Sequence, residues 1–133
     1  MSALIGLRVL VVDNQENMRF IVTSLLEDNG AKVKSCESAG QALNTFVRWK
    51  PDVIVSDIMM PEHDGYWLLE RIRQLRPGQG RDTPAIALTS MIDREDRIRA
   101  FSAGFQIHIA KPIAIDDLIS AIKTLTRHYE FQQ

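Results

Sequence analysis

Val53-Ile54-Val55-Ser56-Asp57-Ile58-Met59-Met60-Pro61, residues 53–61, opens as an apolar run of strand length, sets a carboxylate at its end, and continues into a loop closed by proline. An apolar run without alternation reads as a strand buried on both faces, as in parallel sheets covered by helices. Two further runs, 7–12 and 85–88, have the same character, and 33–36 and 107–110 bring the strand candidates to five.

Between these runs the apolar period changes from two to 3.6. Met18, Ile21, Val22, Leu25 and Leu26 fall on one helical stripe, with Gly30 where a left-handed stop is wanted. Ala39, Ala42, Leu43, Phe46 and Val47 repeat the pattern behind Ser38, whose spacing from Gln41 predicts a capping box. Leu68, Leu69, Ile72 and Leu75 make a third stripe, ended by Pro77 and Gly78, and the polar stretch 77–83 reads as a loop. Asp93, with Asp96 behind it, opens a short fourth helix expected to bury Ile98 and Phe101 and to stop at Gly104. Leu118, Ile119, Ile122 and Leu125 mark a fifth helix, while the tail from His128 onward offers no partner for its aromatics. Phe20 and Trp67 lie off their stripes and are expected to be exposed, as docking contacts or as ordinary surface aromatics. Five strand–helix alternations imply right-handed crossovers and a three-layer α/β/α domain with a parallel sheet. The expected organisation is one domain over 1–133 with its core at about 7–127; the pattern alone leaves the strand order open.

A chain of 133 residues with 45% hydrophobic and 25% charged composition is long enough for one core and too short for two ordinary domains. Sixteen basic and seventeen acidic residues leave a formal charge of −1, which argues against direct binding to nucleic acid. The lone Cys36 cannot form an internal disulfide, and no leader or membrane-length apolar run is present, so the expected compartment is the cytoplasm. His63, His108 and His128 lack the spacing of a zinc motif and are expected to be structural. Arg94, Arg97 and Arg99 read as a solvated face.

In open α/β sheets ligands bind beyond the carboxyl ends of the strands. Those ends carry Asp13-Asn14, Asp57, Thr89-Ser90 and Lys111-Pro112. If the strands are neighbours, two carboxylates, a hydroxyl and an ammonium converge at one edge. Paired carboxylates suit a hard cation such as Mg²⁺, and a carboxylate can also attack phosphorus to form an aspartyl phosphate. Asp57 is the better nucleophile candidate, because its position promises an exposed strand end and a loop for substrate access. Thr89 could then bind the phosphoryl oxygens. Taken singly, Asp13, Asp57 and Thr89 could equally cap turns and helix ends; together, at the strand ends, they point to chemistry.

From about Leu7 to Leu125 the chain resembles the response-regulator receiver domains of two-component signalling. The resemblance rests on Val11-Val12-Asp13, Ser56-Asp57-Ile58-Met59-Met60-Pro61, Asp64-Gly65, Leu88-Thr89-Ser90, Gly104 and Lys111-Pro112, in order and at the right strand ends. It implies the flavodoxin-like strand order 2-1-3-4-5 and a phosphoacceptor at Asp57. It also implies Mg²⁺ held by Asp13, Asp57 and the backbone carbonyl of Met59, with Thr89 and Lys111 on the phosphoryl group and a cis Lys111–Pro112 bond. The implied donor is a histidine kinase or histidine phosphotransfer protein. The implied receiver of the signal is an output protein or domain outside this chain, with a homodimer on phosphorylation as a further option. The residues 104–112 look like those of receivers in hybrid sensor kinases. Such a protein is barely an enzyme, since it turns over only its own phosphoryl group.

The chain departs from the family at Asn14, where many receivers carry an acid. Asparagine can ligate through its carbonyl, but a lost negative charge is expected to weaken Mg²⁺ binding, with Glu16 as a water-mediated substitute or a plain first-turn helix acid. His108 stands where the family often has Tyr or Phe, as a half-buried polar residue or a pH-sensitive switch. Met59 and Met91 occupy places that in the family influence water access to the aspartyl phosphate, and by that resemblance apolar side chains there suggest a long-lived phosphoryl state. Two other function classes compete: a phosphate-independent pseudo-receiver acting as a protein-interaction module, supported by Asn14, and a flavin-binding electron carrier. The second lacks its Gly- and Thr-rich phosphate loop after the first strand.

Overall fold

The structure, a computed structural model, describes residues 3–127. The expected elements form in order: β1 (Arg8–Val12), α1 (Glu16–Asp28), β2 (Lys32–Cys36), α2 (Ala39–Trp49), β3 (Val53–Asp57), α3 (Gly65–Arg73), β4 (Ala85–Thr89), α4 (Arg94–Ala103), β5 (Ile107–Ala110) and α5 (Ile115–Thr126). All strand pairs are parallel, in the order β2-β1-β3-β4-β5. The sheet has helices on both faces, the three-layer arrangement and strand order expected. His128 and the aromatics of the tail lie outside the described residues.

Alternation along each strand divides the core in two. Leu10, Val12, Ile54, Ala85 and Ala87 face one layer with Phe46, Leu68, Leu69 and Ile72. Val9, Val11, Val53, Val55, Ile86 and Leu88 face the other, with Val22, Leu26, Leu118 and Ile122. Every residue of β3 and β4 is buried, whereas the edge strands β2 and β5 are mostly exposed or half-buried. No helix among the described residues is long and apolar enough to cross a membrane.

The ends of the helices follow local chemistry. Ser38 accepts a hydrogen bond from the Gln41 N–H at 3.2 Å, as the capping box requires. Gln41 Oε1, however, accepts from the N–H of Glu37 at 2.9 Å rather than from Ser38, so the reciprocal half of the box lies one residue earlier than expected. Gly30 and Gly104 take positive φ just past α1 and α4.

Helix α4 corrects the reading of its buried face. Ile98 and Phe101 are 55% and 73% exposed, and the helix packs instead through Ala100 and Ala103, against the layer that holds Tyr66 and Phe105. Small side chains bring this helix close to its neighbours and turn its large apolar residues outward. Arg99, expected to be free in solvent, lies 4.2 Å from the centroid of the Tyr66 ring, where a guanidinium is attracted to the π face.

Candidate functional site

The register of β1, β3, β4 and β5 builds the site. Val12 pairs with Ser56, which sets Asp13 and Asp57 side by side one residue further on. Asp57 pairs with Leu88, and Thr89 with Ala110, so the hydroxyl and the lysine that follow come to the same edge. The backbone N–H of Lys111 donates to Thr89 O at 3.0 Å, tying the last two together, and the Lys111–Pro112 bond is cis as the resemblance implied.

Lys111 Nζ lies 3.3 Å from Asp57 Oδ2 and 3.7 Å from Asp13 Oδ2. One ammonium thus bridges two carboxylates. Asp57 is only 6% exposed, which corrects the expected exposed strand end: its carboxylate sits in a recess, at the end of a strand buried throughout. Asp13 and Thr89 are buried as well. Main-chain donors steady the group: Gln15 N–H reaches Asp13 Oδ1 at 2.9 Å, Met59 N–H reaches Asp57 Oδ1 at 3.3 Å, and Met91 N–H reaches Thr89 Oγ1 at 3.0 Å. Arg19 Nη1 donates to the Asp13 carbonyl at 2.8 Å from α1, a support the sequence reading missed.

Burial pushes the Asp13 carboxyl above its usual value, and the Asp57 charge adds to the rise, while the Gln15 hydrogen bond and Lys111 oppose it. A raised carboxylate pKa favours the fold below the unfolded value of about 3.8, and that contribution is lost as pH rises through the folded pKa. At neutral pH the ionised group therefore costs stability. Asp13→Asn keeps an oxygen for the Gln15 N–H and removes the charge, so it is expected to raise stability at pH 7 by about 1 kcal/mol, or about 3–5 °C in Tm. Thermal melts at pH 7 and pH 3 check this: a gain at pH 7 that vanishes at pH 3 is expected, and an equal or larger gain at pH 3 contradicts it.

Oxygen donors of this kind suit a hard cation, and two desolvated carboxylates sharing one lysine leave charge that a dication would relieve. The residues fit Mg²⁺. Among the described residues no group of three or more His, Cys, Asp or Glu gathers, so a dication here would keep several waters. Asn14 is exposed beside Asp13 and lines a cleft of about 320 Å³ with Glu37, Ser38, Pro61 and Glu62. Glu16 is exposed in the first turn of α1, where its charge favours the helix.

His108 is half-buried, and its Nε2 is enclosed without a hydrogen-bond partner. Burial lowers its pKa first, with Arg97 adding to the drop and the Met91 backbone and Asp96 opposing it, which favours the neutral ring. Trp67 is half-buried rather than exposed: its ring stacks on His63 with centroids 3.9 Å apart, and the Arg71 guanidinium lies 5.1 Å from it. Phe20 is 70% exposed as expected.

A family model described as "Response regulator receiver domain" matches residues 9–123. The chain is 38% identical over 123 residues to the "Uncharacterized 14.6 kDa protein in sodA1 3'region" of Leptolyngbya boryana, covering 92% of each. It is 34% identical over 122 residues to the response regulator MprA of Mycobacterium tuberculosis, covering 92% of this chain but only 51% of that protein. Among solved structures, the signal receiver domain of a signal transduction histidine kinase from Syntrophus aciditrophicus aligns with a TM-score of 0.83 at 27% identity, over 96% of each chain.

Proposed function

The chain belongs to the response-regulator receiver family, whose members are phosphoacceptors of two-component signalling, and we propose that Asp57 is the acceptor here, served by Asp13, Thr89 and Lys111. The observation that carries this reading is the Lys111 ammonium within 4 Å of both carboxylates, at a recess where four strand ends meet. We read the chain as one receiver unit with its core at about 7–127.

In the proposed step a carboxylate oxygen of Asp57 attacks the phosphorus of a phosphohistidine, the P–N bond breaks, and its electron pair returns to the donor imidazole. Lys111 neutralises charge on the transferring oxygens from its place beside Asp57 Oδ2. Thr89 keeps its own O–H free to donate to a phosphoryl oxygen, because its contact with Met91 uses only an acceptor lone pair. Asp13, Asp57 and the Met59 carbonyl would hold Mg²⁺, which supplies further charge neutralisation when bound; Asn14, exposed and uncharged, is a weaker candidate ligand. The burial of Asp57 limits water at the acceptor, which supports a long-lived phosphoryl state; Met59, 59% exposed, does not by itself cover it.

The donor is a histidine kinase or a histidine phosphotransfer protein. A cleft of about 170 Å³, lined by Met18, Ile21, Leu25, Pro112, Ile113 and Ile115, begins at the residue after Lys111 and supports docking there. Exposed Ile92, Ile98 and Phe101 around α4 support a partner-binding surface for an output protein or a second copy. Phosphorylation would act by favouring one of two conformations of that surface.

Intact mass after incubation with acetyl phosphate and Mg²⁺ tests the proposal. A gain of about 80 Da, one phosphoryl group on a carboxylate, is expected in the native chain and absent in Asp57→Asn. A native chain that gains nothing, even from a phosphorylated kinase, returns the reading to a phosphate-independent interaction module.

A further inference from the structure

We propose that the free edge of β2 is a docking site for an extended segment of another protein, one that alternates acidic and apolar residues. Three features of the edge lead there: unpaired backbone groups, a basic face and, on the other face, a cleft walled by one exposed aromatic ring.

Strand β2 is the outermost strand on its side of the sheet. Lys32 N–H donates to Leu7 O at 2.8 Å and Cys36 O accepts from Asp13 N–H at 3.1 Å, so the backbones of Lys32, Lys34 and Cys36 turn toward β1. By alternation, the N–H and C=O groups of Val33 and Ser35 point away from the sheet, where an added strand would pair with them.

The side chains alternate as well. Cys36 is buried in the layer under α2, which puts Lys34 and Lys32 on that same face. There Lys34, Thr45, Arg48 and Trp49 line a cleft of about 190 Å³. The Arg8 guanidinium and the Lys34 ammonium lie 5.6 and 5.5 Å from the Trp49 ring, concentrating charge around one indole. Arg8, Lys32, Lys34, Arg48 and Lys50 make five cations in a chain whose formal charge is −1. Among the described residues none of the five has a carboxylate in ion-pair contact, since the ion pairs there are those of Lys111. The nearby Asp52 carboxylate is turned to the Arg8 backbone N–H, at 2.8 Å.

On the opposite face a second cleft, of about 310 Å³, lies between α1 and β2, lined by Glu16, Asn17, Arg19, Thr23 and Ser35 with Phe20 as its one apolar side chain. Phe20 is largely exposed in its wall, and Thr23 Oγ1 is enclosed with no partner. A strand laid along the edge projects alternate side chains to the two faces. Carboxylates would enter the basic cleft and apolar or aromatic side chains would reach Phe20.

The lysines also determine what cannot bind. They guard an edge against pairing with a like edge, because a second copy of this strand brings lysine against lysine. For an acidic strand the same charges attract. A nucleic acid would satisfy the cations but leave the backbone groups of Val33 and Ser35 unpaired, so an acidic peptide is the better fit.

The test uses the full chain and an eight-residue peptide alternating glutamate with valine or phenylalanine, against the same peptide with lysine for glutamate and against a single-stranded oligonucleotide. Binding by calorimetry at low salt is expected for the acidic peptide alone, with slowed amide exchange at Val33 and Ser35. Lys34→Glu with Arg48→Glu is expected to weaken it at least about tenfold, as loss of steering and pairing charges does. Ser35→Pro, which removes an outward N–H and spares the ladder to β1, is expected to weaken it similarly while thermal melts report an intact fold. Equal binding of the lysine peptide, tighter binding of the oligonucleotide, self-association at the edge, no binding at all, or protection elsewhere than β2 each overturns the proposal; should Ser35→Pro not fold, the charge-reversal pair decides it.

Discussion

Gly65→Ala is expected to cut phosphoryl uptake by about 100-fold, the scale on which a displacement of about 1 Å at a reacting group acts, and to destabilise the fold by about 2 kcal/mol. Gly65 opens α3 behind the Asp64 cap, whose carboxylate accepts from Trp67 N–H at 2.9 Å. A methyl group on Gly65 would stand 2.6 Å from Asp57 O and 2.9 Å from Ile58 Cα. Both are backbone atoms of a fully buried stretch, so neither can yield by a rotamer change. The same residue donates its N–H to Ile58 O at 2.8 Å, so relief of the clash also strains the bond that anchors the loop. The displaced atoms are those that aim Asp57, and Lys111 cannot follow, being tied to Thr89 on another strand. Acetyl phosphate uptake rates and urea melts, measured on the variant and on Gly40→Ala as a control with open space around it, separate the two effects. An Asp57 phosphorylated at the native rate in Gly65→Ala contradicts the account.

Structure is legible in this sequence where one physical rule acts alone and is obscured where two compete. Strands β1, β3 and β4 are legible because burial on both faces leaves no polar position, and the strand-end placement of Asp13, Asp57, Thr89 and Lys111 follows from them. The strand order is not legible from periodicity; only the resemblance to receiver domains implies it. In α4 the apolar period pointed to Ile98 and Phe101, but size misleads there: contact with Tyr66 and Phe105 requires small residues, and Ala100 and Ala103 do the packing. Asp57 is buried where its strand end promises exposure, because a strand end is open only if the neighbouring loops leave it so. Trp67 lies off the apolar stripe yet is half-buried, because it packs against the edge of the core layer and between His63 and Arg71, polar partners that an apolar stripe does not count. Spacing offered a signal, since the three lie four residues apart in series.

Arg73 is the largest omission, and Arg73→Ala is expected to cost about 3 kcal/mol, since hydrogen bonds from a charged donor are worth about 1.5–3 kcal/mol each but do not add fully. An arginine in the last turn of a helix reads as a dipole-compensating surface charge. Here it turns inward. Nη1 donates to Arg81 O and Thr83 O at 2.8 and 2.7 Å, and Nη2 to Gly104 O at 2.6 Å and Gln106 Oε1 at 3.4 Å. Gln106 Oε1 in turn accepts from the N–H of Ala85 at the start of β4, at 2.7 Å. One guanidinium therefore clamps the loop before β4 to the turn between α4 and β5. Gly104 is required twice over: its φ is +121°, and a Cβ there would lie 2.7 Å from Arg73 Nε. Burial lowers the Arg73 pKa, as desolvation of a cation must, yet the planar fork stays charged and fills its acceptors. A loss of about 3 kcal/mol corresponds to a fall in Tm of about 10 °C for a domain of this length. Arg73→Lys, which offers a point charge in place of a fork, is expected to recover little of it. Thermal melts of both variants decide the matter: native-like stability in Arg73→Lys would show that charge alone suffices, and native-like stability in Arg73→Ala would show that the clamp holds nothing.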